Sequence, residues 1–93
     1  MSKATIAQLV HAAKVVAAEV GAERGVYCFG GRIAVPIEGG WSLVISADYA
    51  ERLRIQACLE GCAVASMWSF AGDDGRLAEL ASSARDEAAS LAA

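Results

Sequence analysis

Hydrophobic and polar residues alternate along residues 52–59, and a largely apolar segment follows over 62–70, which together predict a β-hairpin with one buried face. In 52–59 the aliphatic residues occupy the odd positions, and Glu60-Gly61 follows as a predicted two-residue turn. This turn places Leu59 opposite Cys62 and Leu53 opposite Trp68. The predicted core face of the hairpin consists of Leu53, Ile55, Leu59, Val64, Trp68 and Phe70.

A helix over 48–61 is the competing interpretation, because Tyr49, Leu53 and Ala57 recur at a loosely helical spacing. The strict alternation followed by a turn glycine favours the strand. If the strand forms and Trp68 is fully buried, we expect Trp68→Ala to cost about 3–5 kcal/mol of folding free energy.

Two more tight turns precede this hairpin. Gly30-Gly31 separates 26–29 from 32–37, and Glu38-Gly39-Gly40 separates 32–37 from a strand that starts at Trp41. The registers of both turns assign the same residues to one face, which supports a continuous meander. That face consists of Val26, Cys28, Ile33, Val35, Ile37, Trp41, Leu43 and Ile45.

An amphipathic helix is predicted at each end of the chain. Residues 3–21 form the first, with Thr5 and Gln8 as a possible capping box, Ser2 as a competing N-cap and Gly21 as the C-cap. Its apolar stripe is Ile6, Leu9, Val10, Ala13, Ala17 and Val20. The second helix begins near Asp73, and its stripe is Leu77, Leu80, Ala81, Ala84, Ala88 and Leu91.

The pattern therefore predicts an α+β fold, with an antiparallel meander of about five strands between two helices. The order is α-β-β-β-β-β-α, and the 93 residues fit a single domain over 1–93. This arrangement is loosely similar to that of small sheet-based chaperones of secretion systems and small phage-encoded inhibitors. The similarity concerns size and architecture and transfers no residue roles.

Charge and composition narrow the function classes. The net charge of −3 disfavours duplex nucleic acid and anionic membranes as partners, since both favour a basic surface. No apolar run reaches transmembrane length, and the N-terminus lacks the apolar core of a signal peptide. We therefore expect a cytoplasmic protein without membrane association, with its three cysteines reduced.

The sequence contains no recognisable catalytic or metal-binding motif. His11 has no carboxylate near enough along its own helix to orient it, so a surface role is expected. Three cysteines and one histidine fit zinc poorly. Cys28 and Cys62 are expected to be small apolar core residues, and Cys58 an exposed thiol. We predict no enzyme activity, no cofactor and no metal site.

The second face of the sheet is the most informative feature. If both helices cover the Leu53 face, the other face stays open and presents apolar residues beside arginines. We predict that it binds another protein, as an adaptor, chaperone-like or inhibitor module that forms a homodimer. Its predicted binding residues are Tyr27, Phe29, Arg32, Val44, Arg52, Arg54 and Met67.

Two other functions are retained as alternatives. One is a small enzyme or ligand-binding subunit with its site between subunits, using Cys58 or the region of Tyr27. The other is a module that binds single-stranded nucleic acid by stacking bases on aromatic side chains beside arginines. The acidic net charge weighs against this last function.

Overall fold

The computed structural model describes residues 5–22, 25–37, 40–48 and 52–92, without the side chains of Phe29, Ala88, Leu91 and Ala92. Ser2, Glu38, Gly39 and Tyr49, which belong to the predicted cap, loop and competing helix, lie outside the described residues. The elements are α1 (Ile6–Val20), β1 (Tyr27–Phe29), β2 (Arg32–Pro36), β3 (Trp41–Ala47), β4 (Arg52–Leu59), β5 (Cys62–Phe70) and α2 (Asp74–Ala92). The strands form one antiparallel sheet in the order β1-β2-β3-β4-β5, which confirms the predicted fold class.

Local side-chain chemistry fixes the helix ends. Thr5 and Gln8 form the predicted capping box, in which the Gln8 N–H donates to Thr5 Oγ1 at 3.2 Å and the Thr5 N–H donates to Gln8 Oε1 at 2.8 Å. Because Thr5 is extended, α1 begins at Ile6 and not at residue 3. Gly21 closes α1 in the left-handed conformation, and Asp73 Oδ1 accepts from the Arg76 N–H at the start of α2.

The two-residue turns have the geometry that the sequence predicts. Gly30 and Gly31 have φ values of 52° and 76°, and Glu60 and Gly61 have φ values of 51° and 88°. Positive φ at both positions gives the backbone twist that matches a hairpin. Residues 52–59 are therefore a strand, which excludes the competing helix over that range.

The registers of the first three strands follow the prediction. Ile33 lies opposite Ile45, and Val35 lies opposite Leu43. All four of these side chains are buried in the core. Agreement between the turns and the hydrophobic pattern was therefore sufficient to place this half of the sheet.

A β-bulge changes the register of β5. Leu59 lies opposite Cys62 and Cys58 opposite Ala63, but Ala57 then lies opposite Ala65 and not Val64. Val64 is the additional residue, and every later partner moves by one position. Because side chains alternate along a strand, a shift of one residue exchanges the two faces.

The bulge overturns part of the predicted core. Leu53 and Ile55 are buried as predicted, but they lie opposite Ser69 and Met67. Trp68 is 46% exposed, and Val64 and Phe70 are each 59% exposed, so the prediction that these three belong to the core is wrong. Leu59 beside the turn was also predicted in the core and is exposed.

Both helices cover the same face of the sheet. Leu9 and Val16 of α1, together with Leu77 of α2, join Leu43 and Ile55 in one core. The stripe of α1 is rotated from the predicted one, because Ala12 and Val16 are buried. Ile6 and Val10, which the prediction placed in the core, are exposed.

Polar contacts connect the two helices at their solvent side. His11 Nε2 lies 2.9 Å from Asp74 Oδ2, and Arg85 Nη1 donates to the carbonyl oxygen of Glu19 at 3.0 Å. The helices therefore run side by side in the same direction. In the part of the chain that the structure describes, neither helix is long and apolar enough to span a lipid bilayer.

The two tryptophans should respond differently to truncation. Trp41 is 8% exposed and belongs to the core, so Trp41→Ala should lower the free energy of unfolding by about 3–5 kcal/mol. Trp68→Ala should cost only about 1 kcal/mol, because half of its ring is already in water. Urea denaturation followed by circular dichroism measures both. Equal losses for the two variants would contradict the register of β5.

Candidate functional site

The sheet face opposite the helices, which we call the open face, is the candidate site. Its residues alternate along each strand with the core residues. None of them belongs to the core cluster that the sheet forms with the two helices. They are Tyr27, Arg32, Ala34, Ser42, Val44, Ser46, Arg52, Arg54, Gln56, Cys58, Ser66, Trp68 and Phe70.

Five of the seven predicted binding residues lie on the open face. Tyr27, Arg32, Val44, Arg52 and Arg54 are all there, although Val44 is buried in its floor. They are spread over four neighbouring strands and so form one surface.

The other two predicted residues differ. Met67 pairs with Ile55 and packs against the core, so its predicted place on the open face is wrong. The backbone of Phe29 pairs with Arg32, but its side chain lies outside the described residues. Trp68 and Phe70, which the prediction assigned to the core, join the open face instead.

Trp68 is held across the sheet by an acid. Its indole Nε1–H donates to Asp48 Oδ2 at 2.8 Å, so the ring reaches from β5 over β4 to the end of β3. The same Asp48 oxygen lies 3.4 Å from Arg52 Nη2. Since the ring is fixed at one end and half exposed, it presents a flat apolar surface at little cost in conformational entropy.

Beside this ring lies an incompletely satisfied polar pair. Ser46 and Arg54 are directly opposite each other on β3 and β4, and Trp68 is opposite Arg54 on its other side. Ser46 Oγ and Arg54 Nε are buried without a hydrogen-bond partner among the described residues. An unpaired buried polar group costs about 1–3 kcal/mol, so this part of the face would gain from a ligand that supplies an acceptor.

The other half of the open face contains a shallow cavity of about 430 Å³. Val44 and Cys58 are buried in its floor with Ala34 beside them, while Tyr27 and Arg32 line its wall. The region of Tyr27 and the thiol of Cys58, which the enzyme alternative requires, therefore meet in one depression. An apolar side chain of a bound protein would fit in this cavity beside the guanidinium group of Arg32.

A second cavity, of about 520 Å³, lies on the helix-covered side. It opens between α1 and the β1 edge, with Val10, Lys14, Val26 and Cys28 among its lining residues. The lining is mostly apolar.

The cysteines are placed opposite to the prediction. Cys58 is buried, whereas Cys28 and Cys62 are exposed. Burial is the main cause that raises the pKa of the Cys58 thiol, and the nearby Cys62 adds to it, against a smaller opposing effect of Arg32. A raised pKa leaves less thiolate at neutral pH, which makes Cys58 a poorer nucleophile than a free cysteine.

The pair between His11 and Asp74 was missed by sequence reasoning, because the acid comes from the other helix, 63 positions along the chain. Both side chains are about half exposed at the helix surface. No group of three or more His, Cys, Asp or Glu side chains that could hold a metal ion occurs in the described ranges.

Comparison with known proteins identifies no matching family model, no similar curated protein and no similar solved structure.

Thiol labelling tests the placement of the cysteines. In the folded protein, iodoacetamide should modify Cys28 and Cys62 quickly and Cys58 slowly, because only Cys58 is buried with a raised pKa. Because the pKa of Cys58 is raised, its labelling rate should keep rising with pH beyond the ordinary range of a cysteine thiol. Peptide mass spectrometry after timed quenching measures each site, and labelling in urea provides the control. Fast labelling of Cys58 at neutral pH would contradict this assignment.

Proposed function

We propose that this chain is a small non-enzymatic protein-binding module whose open face binds another protein. The observation that carries the proposal is the position of both helices on one side of the sheet, which leaves aromatic and arginine side chains together on the other. Tyr27, Trp68 and Phe70 are each about half exposed there. Trp, Tyr and Arg are the residue types that dominate binding energy at protein interfaces.

The distribution of charge favours an acidic partner. Arg32, Arg52 and Arg54 lie on the open face, although the chain as a whole has a net charge of −3. Many of the described acids are instead on the helices, namely Glu19, Asp74, Glu79, Asp86 and Glu87. A basic patch on an acidic protein attracts a partner of opposite charge and disfavours partners that resemble the protein itself.

The same charges argue against pairing of two copies through their open faces. Such pairing would bring the arginines of one copy against those of the other. Like charges brought together in an interface cost several kcal/mol. Asp48 offsets Arg52, but Arg32 and Arg54 form no ion pair with an acid among the described residues. We therefore propose that the open face binds a different protein. We also propose that both proteins are located in the cytoplasm.

A double variant tests the proposal. Arg54→Glu with Trp68→Ala should abolish capture of the partner from an extract of the source cells, because it reverses a charge and removes the largest exposed ring. Ser83→Glu with Ser90→Ala, on the exposed side of α2, is the matched control. A protein retained by the wild type and the control but lost from the double variant is the expected result.

Binding of the captured partner should then be measured directly. Isothermal titration calorimetry suits this comparison, because the double variant has no Trp68 whose fluorescence could report binding. The affinity should fall as salt rises, since the proposed contacts include exposed charges. Equal affinity of the double variant and the wild type would overturn the proposal.

Binding of single-stranded nucleic acid is the second candidate function. It is favoured because Trp68 and Phe70 lie on the same face as three arginines. Bases stack on such rings with about 1–3 kcal/mol each. Asp48, placed between Arg52 and Trp68, disfavours an adjacent phosphate.

Fluorescence anisotropy with labelled single-stranded DNA and RNA decides this point. Binding by the wild type that weakens steeply with salt and disappears in the double variant would replace the protein-partner proposal. Under the protein-partner proposal, anisotropy stays at the value of the free oligonucleotide.

A further inference from the structure

The outer edge of β5 is the part of the molecule that the proposed function leaves unexplained. β5 is nine residues long and pairs with β4 on one side only. Six of its residues, Cys62 to Ser66 together with Trp68, are exposed, and Phe70 at its end is exposed as well. Alternate N–H and C=O groups along such an edge point away from the sheet and can pair with another strand.

β5 has one of the features that usually prevent such pairing, the bulge near Val64, and lacks the others. Native edge strands are blunted by charged residues, proline or short length. Residues 62–70 contain no charged residue and no proline. The opposite edge, β1, has only three residues and offers little to pair with. The bulge of β5 near Val64 disturbs only the start of that strand, so residues 65–70 remain regular.

We infer that β5 pairs antiparallel with β5 of a second copy, so that two sheets join into one of ten strands. Pairing of two identical β5 strands brings no like charges together, because residues 62–70 contain no charged side chain. Pairing about a two-fold axis is closed, since it uses both β5 edges and leaves the short β1 edges as the remaining sheet edges among the described residues. The assembly therefore stops at a dimer and does not extend into fibres.

The same pairing is compatible with the open face. A two-fold axis perpendicular to the sheet keeps both open faces on one side and both helix layers on the other. The Trp68 and Phe70 side chains of the two copies then lie on one continuous surface. A partner that binds the open face could contact both copies, which would raise its apparent affinity.

The size of the contact sets its strength. The six regular residues 65–70 at about 3.4 Å each give an edge roughly 20 Å long, and a sheet about 10 Å thick makes a footprint of roughly 200 Å². That is well below the roughly 800 Å² per partner of a standard stable interface. Side chains beside the edge, including Val64 and Phe70, add to it, and the dimer should be reversible and depend on protein concentration.

Light scattering across a concentration series tests the inference. The mass should rise from 9.6 kDa towards twice that value for the wild type. Ala65→Lys with Ser66→Lys puts a charge on each face of the edge and should keep the mass at one chain at every concentration. Ser83→Lys with Ser90→Lys on α2 adds the same charge away from the edge and should behave like the wild type. A wild type that is monomeric throughout, or a dimeric edge variant, would overturn the inference.

Hydrogen exchange keeps the inference testable if the edge variant fails to fold. In the wild type, amide exchange within 65–70 should slow when the protein is concentrated, while exchange in β1 stays unchanged. A dimer that forms without added protection in 65–70 would overturn the edge assignment.

Discussion

The bulge at Val64 is the constraint on which the rest of the structure depends. One additional residue in β5 decides which of its two faces packs against the helices. Ala65, Met67 and Ser69 turn towards the core, and Trp68 and Phe70 turn away. Without the bulge the largest ring of the strand would fill the core and the open face would lose its main apolar surface. The fold and the candidate site are thus two consequences of one local register.

Much of the fold follows from local sequence rules. Alternation, turn glycines and the Thr5 cap were sufficient for element order, for the bounds of β4 and β5, and for the registers of β2 and β3. The face of β5 was not predictable in this way. Either set of alternate residues in β5 could face the core, and hydrophobicity alone selects the set that contains Trp68. The structure instead turns Met67 and the buried Ser69 towards the core, together with Ala65, which remains exposed.

The candidate site was predictable in outline and not in its contacts. Arg32, Arg52 and Arg54 follow from the alternation of their strands. Asp48 follows from no pattern, because its hydrogen bond to Trp68 joins the residue after β3 to a residue of β5, 20 positions along the chain. The same holds for Asp74 beside His11, and for Cys58, which is buried with Ala34 and Val44 on the open face. Such contacts depend on tertiary packing, and the periodic patterns of a single sequence do not predict them.

The central claim is that Trp68 lies on the face opposite the helices. Nuclear Overhauser contacts of its indole ring test this most directly. We predict contacts from the ring to the side chains of Arg52 and Arg54, and none to the methyl groups of Leu77 in the core. Strong contacts between the Trp68 ring and Leu77 would show that β5 has the register without a bulge, and would contradict the account.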